Sequence, residues 1–161
     1  MLSFERFKKL AVVFLLLIFA SMLLGCGMDK GNVYDSDKEI AKEGDSYTFV
    51  GRSGNESKNR IDVSFRKFAG VQTLWLIEAK EDGVIELDYD NEITKGDFKL
   101  VVVTPEGEVV NVAEQTNKGS YKVTTSKGKY RIKIVGRTAT GEFEMDLETK
   151  GVKRVSHPGS V

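Results

Sequence analysis

Cysteine and histidine occur once each among the 161 residues, and both scarcities narrow the chemistry. A lone cysteine, Cys26, excludes a disulfide framework and any cysteine-built metal site. The lone histidine, His157, stands four residues from the C-terminus between Ser156 and Pro158. A histidine base needs a fixed nucleophile and an orienting third group, and a fraying tail supplies neither. Charge of one sign is also missing. The 24 Lys and Arg against 24 Asp and Glu leave no strong field to favour nucleic acid or an anionic surface. No Walker-type loop or zinc-spaced His/Cys set occurs, and no ten-residue window after Asp45 carries an apolar helical stripe. Paired carboxylates of the kind that hydrolyse glycosides stay open as an alternative, since their separation in space is invisible in a sequence.

What is present begins at the N-terminus. Met1–Lys9 carries Arg6, Lys8 and Lys9, and Leu10–Leu24 follows as an almost wholly apolar run. A membrane span needs about 20 such residues, and an amphipathic core helix needs a polar side that this run lacks. The order is that of a secretory signal. Its last four residues, Leu23-Leu24-Gly25-Cys26, resemble the lipobox of bacterial lipoproteins. The resemblance implies cleavage between Gly25 and Cys26 and a diacylglyceryl group on the Cys26 sulfur. It also implies residence at the extracytoplasmic face of a bacterial cell membrane, with no thiol left to act as a nucleophile. An ordinary cleaved signal and an uncleaved anchor are the alternatives. Each buried methylene adds ~0.8 kcal/mol, so two or more acyl chains hold far better than one. Loss of residues 1–25 removes Arg6, Lys8, Lys9 and Glu5, leaving 21 basic and 23 acidic groups, net −2. Membrane residence would then rest on the lipid alone, with no other cofactor implied.

Gly27–Asp45 is polar, with few apolar interruptions, and reads as a flexible spacer. Beyond it the pattern switches to period two: Tyr47/Phe49, Ile61/Val63/Phe65, Trp75/Ile77/Ala79, Ile85/Leu87/Tyr89, Phe98/Leu100/Val102, Tyr121/Val123, Tyr130/Ile132/Ile134 and Phe143/Met145/Leu147, with Val109–Ala113 a shorter run. Such alternation predicts strands with one dry and one wet face, and the glycines between them fall at spacings that fit an all-β sandwich or barrel. The expected organisation is a signal over 1–25, a lipidated cysteine and spacer over 26–45, a single antiparallel all-β sandwich of eight or nine strands over 46–151, and a basic tail over 152–161.

Two hairpins have testable registers. Opposing Ile134 to Phe143 also opposes Ile132 to Met145 and Tyr130 to Leu147, and sets Lys133 against Glu144 and Arg131 against Asp146 outside. A turn at Glu81-Asp82-Gly83 opposes Ala79 to Ile85, Ile77 to Leu87 and Trp75 to Tyr89, at the cost of placing Glu78 across from Glu86. Pro105-Glu106-Gly107 after Thr104 is a third turn signal. The stretch Phe98–Gly107, then Gly128–Ile134, then Gly141–Met145 resembles small secreted bacterial β-sandwiches of the pre-peptidase C-terminal type. That resemblance implies a jelly-roll-like accessory or binding module and no active site. The function expected of the whole is a noncatalytic module that engages a protein partner or an envelope polysaccharide; the alternative is a structural or stress-related envelope lipoprotein with no small-molecule ligand.

Candidate sites follow from these registers. Glu78, Glu86, Asp88, Asp90, Asn91 and Glu92 supply the oxygen ligands that calcium prefers; the simpler reading is a solvated acidic face. Trp75 offers a stacking surface for a sugar, although its register points it inward. Arg52, Lys58, Arg60, Arg66 and Lys67 could meet anionic polymers or headgroups, or form the wet face of a strand. The polar loop Gly51–Asn59 has room for a ligand but no signature of one.

Overall fold

The computed structural model describes residues 30–158; the signal, its cleavage point and Cys26 lie outside the described residues. A 3-10 helix, Lys30–Asp35, is followed by a single turn α1, Asp37–Ile40. Ser36 caps that turn, its hydroxyl accepting from the Glu39 amide, which satisfies a donor the helix cannot use. Six extended segments follow: β1 Ser46–Thr48, β2 Gly51–Glu56, β3 Arg60–Val103, β4 Val109–Glu114, β5 Asn117–Thr125 and β6 Gly128–Ser156. All are antiparallel and joined into one hydrogen-bonded network.

β3 and β6 are long because each serves two layers. In one leaf the order is β2, 60–66, 141–150, 83–93, β5. In the other, 69–79 is flanked on one side by β1 and 152–156 and on the other by 128–136, then 98–103 and β4. Three strands therefore pass from leaf to leaf along one folded edge, at 67–70, 93–97 and 137–141. Register shifts mark the edge at Phe65/Phe68 and Ile93/Lys95, as expected where bulges bend a strand. Gly70 shows why the edge needs glycine: its φ is 111°, and a Cβ there would lie 2.0 Å from the Ser46 carbonyl oxygen. The alternating apolar residues of both leaves meet in one core, with Phe65 of the first leaf stacked on Phe98 of the second at 5.5 Å between ring centres. Burying each such side chain contributes about 1.5–3 kcal/mol. The fold is the all-β sandwich the alternation predicts.

The strand partners differ from the expected hairpins. Tyr130–Val135 does not pair with Glu142–Leu147; both lie in β6, on opposite sides of the folded edge, and pair with 71–77 and 60–64 respectively. Lys133 and Arg131 consequently never meet Glu144 and Asp146. The segment through Glu81-Asp82-Gly83 is no two-stranded hairpin either. Ile77 pairs with Tyr130 and Val155, whereas Ile85 pairs with Val123 and Thr149, so the chain changes leaf here and Glu78 never faces Glu86. Inward and outward assignments survive because alternation fixes the face, not the partner. The Thr104–Gly107 turn forms as expected, with the Gly107 amide donating to the Thr104 carbonyl at 3.0 Å.

Both ends of the described residues are more ordered than their composition suggests. Val152–Ser156, expected to fray, pairs with 76–79. Residues 30–41, expected as part of a flexible spacer, strap the outer face of the second leaf. Tyr34 and Ile40 sink into a second apolar cluster with Val71, Val101, Val103 and Val135. The Tyr34 ring lies between Lys99 and Arg137, at 4.8 and 4.9 Å. Arg137 also binds Asp35 at 2.6 Å and Asp97 at 2.8 Å. Beneath the continuation of the strap, Lys133 is wholly buried and donates to the Lys42 carbonyl at 2.6 Å, with Asp45 at 3.6 Å. Burial pushes the Lys133 ammonium pKa down, and Asp45 opposes that shift. The few apolar residues of the strap suffice because β-branched residues on the outer leaf face already form a dry patch.

Burial, reinforced by the Glu114 and Asp97 carboxylates, pushes the Tyr34 phenol up to about 12. Below pH 10 both folded and unfolded chains hold this proton and the contribution to stability is intact; from pH 10 towards 12 the unfolded chain releases it first, so stability falls. The Tyr34→Phe variant is expected to lose part of that alkaline slope, read from urea unfolding across pH 9–11.5.

Candidate functional site

The sequence-selected residues separate into four environments. Trp75 is fully buried, and its indole Nε1–H donates to the Lys58 carbonyl at 3.0 Å; no face is open to a sugar. His157 lies beside it, 5.5 Å between ring centres, with Nε2 3.1 Å from the same Lys58 carbonyl. The histidine thus pins the C-terminal strand to the Lys58 loop, a role that its position in the sequence did not reveal.

The acidic set does not converge. Glu78 belongs to the second leaf and binds Lys153 at 3.1 Å. Glu86 and Asp90 lie on the outer face of the first leaf, bound by Lys122 at 2.8 Å and Lys118 at 2.6 Å. Lys122 holds the Glu86 carboxyl below its usual pKa, and its own pKa is raised in return. Asn91 points the other way, fully buried, its side-chain amide without a hydrogen-bond partner. Carboxylates do stand opposite one another on this face, but in rows that only the strand partners reveal: Asp62–Glu144–Asp90, Asp88–Asp146 and Glu86–Glu148. Like charges across a ladder are unfavourable. Arg60 bridges two of them, pairing with both Glu144 and Asp146, which raises its own pKa. No group of three or more metal-ligating side chains occurs among the described residues.

An open groove of about 670 Å³ runs beside the folded edge, over the first leaf, between β2 and the bends at 94 and 140. Its lining alternates donors and acceptors: Arg52, Ser64, Arg66, Glu92, Thr140 and Glu142, with Phe65 beneath. Arg52 is drawn to Glu56 and lies over the Phe49 ring at 5.4 Å, and Ser64 donates to Glu142 at 3.3 Å. Gly51 leaves the space that Arg66 occupies, since a Cβ there would approach its Nε to 3.3 Å. Arg66 and Glu92 are exposed, and neither joins an ion pair among the described residues. Of the basic group named from sequence, Arg52 and Arg66 therefore reach this groove, Lys67 stands at its end on the bend, and Arg60 is spent on the acidic rows. The groove itself escaped the sequence, because its walls come from β2, β3 and β6 residues far apart in the chain.

With Glu86 and Asp90 already neutralised by lysines and Glu78 on the other leaf, millimolar calcium is expected to leave the melting temperature unchanged. A rise in melting temperature would reveal a cation site assembled from the carboxylate rows.

Comparison with known proteins returns no matching protein family and no matching curated protein. Among solved structures, a family 29 carbohydrate-binding module complexed with mannohexaose is 15% identical, with a TM-score of 0.38 over 68% of this chain and 83% of that one. A family two carbohydrate esterase from Cellvibrio japonicus is 10% identical, TM-score 0.40, over 71% of this chain and 33% of the esterase. The enzymatically active domain of bacteriophage CBA120 tailspike protein 4 is 11% identical, TM-score 0.39, over 75% of this chain and 21% of that domain.

Proposed function

We propose that this chain is a lipid-anchored, extracytoplasmic bacterial protein whose β-sandwich binds an envelope polysaccharide without transforming it. The anchor rests on the order of residues at the N-terminus: Arg6, Lys8 and Lys9, the apolar run to Leu24, then Gly25-Cys26. The strap begins at Lys30, so only three residues separate Cys26 from the first helical one. Four Cα–Cα steps reach at most roughly 14 Å, which would hold the sandwich close to the bilayer rather than on a long lead.

The binding reading rests on one observation, the charge-balanced groove. Two guanidinium groups, two carboxylates and several hydroxyls line an open trough. Such a lining presents donors and acceptors in alternation without net charge, which suits the hydroxyls of a neutral sugar chain better than a polyion. Each direct hydrogen bond exchanged from water is worth only about 0.5–1.5 kcal/mol net, so several sugar units are needed and a modest affinity is expected. A protein partner is the second reading, favoured by the exposed Val50 at the groove margin.

Two measurements test these statements. Cys26→Ala is expected to move the protein from the membrane fraction to a soluble or unprocessed form, and mass spectrometry of the native N-terminus showing a bare thiol would overturn the anchor. Arg66→Ala with Glu92→Ala is expected to reduce retention on immobilised cell-wall polysaccharide about tenfold or more at unchanged melting temperature. Equal retention would show that the polysaccharide does not bind in the groove.

A further inference from the structure

The open end of the sandwich, away from the folded edge, carries a second concavity of about 540 Å³ with quite different chemistry. Strand 76–79 runs between 128–131 and 152–156, which brings residues 79–80, 127–129 and 153 to one place. The floor is Ala79 and Gly128, and the rim is Lys80, Lys127, Lys129 and Lys153. Glu78 is the one carboxylate among the lining residues, and Lys153 occupies it at 3.1 Å. Lys80, Lys127 and Lys129 are exposed, and none of their ammonium groups has an ion pair or hydrogen bond among the described residues. Gly128, at φ 156°, is wedged against the Thr104–Gly107 turn; a Cβ there would strike Pro105 Cγ at 2.4 Å. Close packing of glycine on proline therefore fixes the backbone from which Lys127 and Lys129 project.

Ammonium groups gathered around one concavity repel each other, and this chain has carboxylates to spare elsewhere: on the first leaf they stand in rows against their own kind. We propose that this lysine-rimmed recess binds a phosphate-bearing anion. Lysine is a compact point charge with three rotatable donors, and several of them around a small floor can meet a tetrahedral oxyanion from different sides, in charge-assisted hydrogen bonds stronger than neutral ones. A phosphodiester headgroup of an anionic lipid and a soluble phosphorylated molecule offer the same group. This site is independent of the sugar groove and of the anchor, and survives the failure of either.

The test is lysine acetylation of the whole protein, read residue by residue by mass spectrometry, with exposed Lys38 as the internal reference. In neutral detergent micelles, millimolar pyrophosphate is expected to slow modification of Lys80, Lys127 and Lys129 about tenfold relative to Lys38, with the protection lost in high salt. In a second arm the protein is reconstituted into phosphatidylcholine vesicles with or without phosphatidylglycerol. Protection by phosphatidylglycerol alone identifies a headgroup as the source, and protection by pyrophosphate alone identifies a soluble phosphate. Combining Lys127→Glu with Lys129→Glu is expected to abolish most of the protection of Lys80, whereas Lys38→Glu leaves it intact. Equal protection at Lys38, or none in both arms, overturns the proposal, and the wild-type footprint decides this even if the double variant folds poorly.

Discussion

Everything in this sandwich depends on three strands that belong to two sheets at once. A strand crossing from one leaf to the other must bend without losing its ladder, and it must keep its apolar side inward on both sides of the bend. The chain meets the first demand with bulges and with glycine at Gly70 and Gly96, whose φ values of 111° and 72° side chains rarely adopt. It meets the second by shifting phase at the edge: inward residues are Ile61, Val63 and Phe65 before the bend and Phe68 and Leu74 after it. The cluster of Phe49, Phe65, Phe68, Phe98 and Phe143 fills the crease. Large rings suit a wedge-shaped space that smaller side chains would leave partly empty, and cavities of that kind are costly.

That folded edge also sets where binding surfaces can lie. On its outer flank the bends and β2 leave a trough, and at the far end the strand termini leave a recess. The two differ in charge because the outer faces of the leaves are covered differently. The second leaf hides its outer apolar residues and Lys133 beneath the N-terminal strap, while the first leaf presents its outer face to water and collects carboxylates. The chain's balanced net charge therefore conceals an acidic face, a balanced groove and a lysine-rimmed recess. Net charge bounds the summed field of a protein, but local fields near clefts follow from placement.

A segment with only a few apolar residues reads as spacer when composition is all there is to go on. Tyr34 and Ile40 become structural because Val71, Val101, Val103 and Val135 offer them a dry patch, and because Arg131 and Lys133 donate to the carbonyls of Ala41 and Lys42 at 2.9 and 2.6 Å.

Much of the fold was legible residue by residue. Period-two alternation assigned most inward residues between Ile61 and Leu147, Trp75 among them, and proline marked the turn at Pro105, since each of those is a local property of the backbone; Phe68 and Leu74, inward after the phase shift at the bend, were not assigned. Partner identity was not, because a strand of Tyr130-x-Ile132-x-Ile134 satisfies the same pairing rules against Phe143-x-Met145-x-Leu147 as against the segments it actually meets. The groove, the carboxylate rows and the lysine recess all follow from those partners, so they were hidden with them. What the sequence alone determined, then, was the all-β class and the inward face of most strands, because these depend on neighbours a few residues away; the wholly polar β2 reads as loop until its partner is known. Only the tertiary structure decided which charges share a surface, since that depends on contacts made across the whole length of the chain.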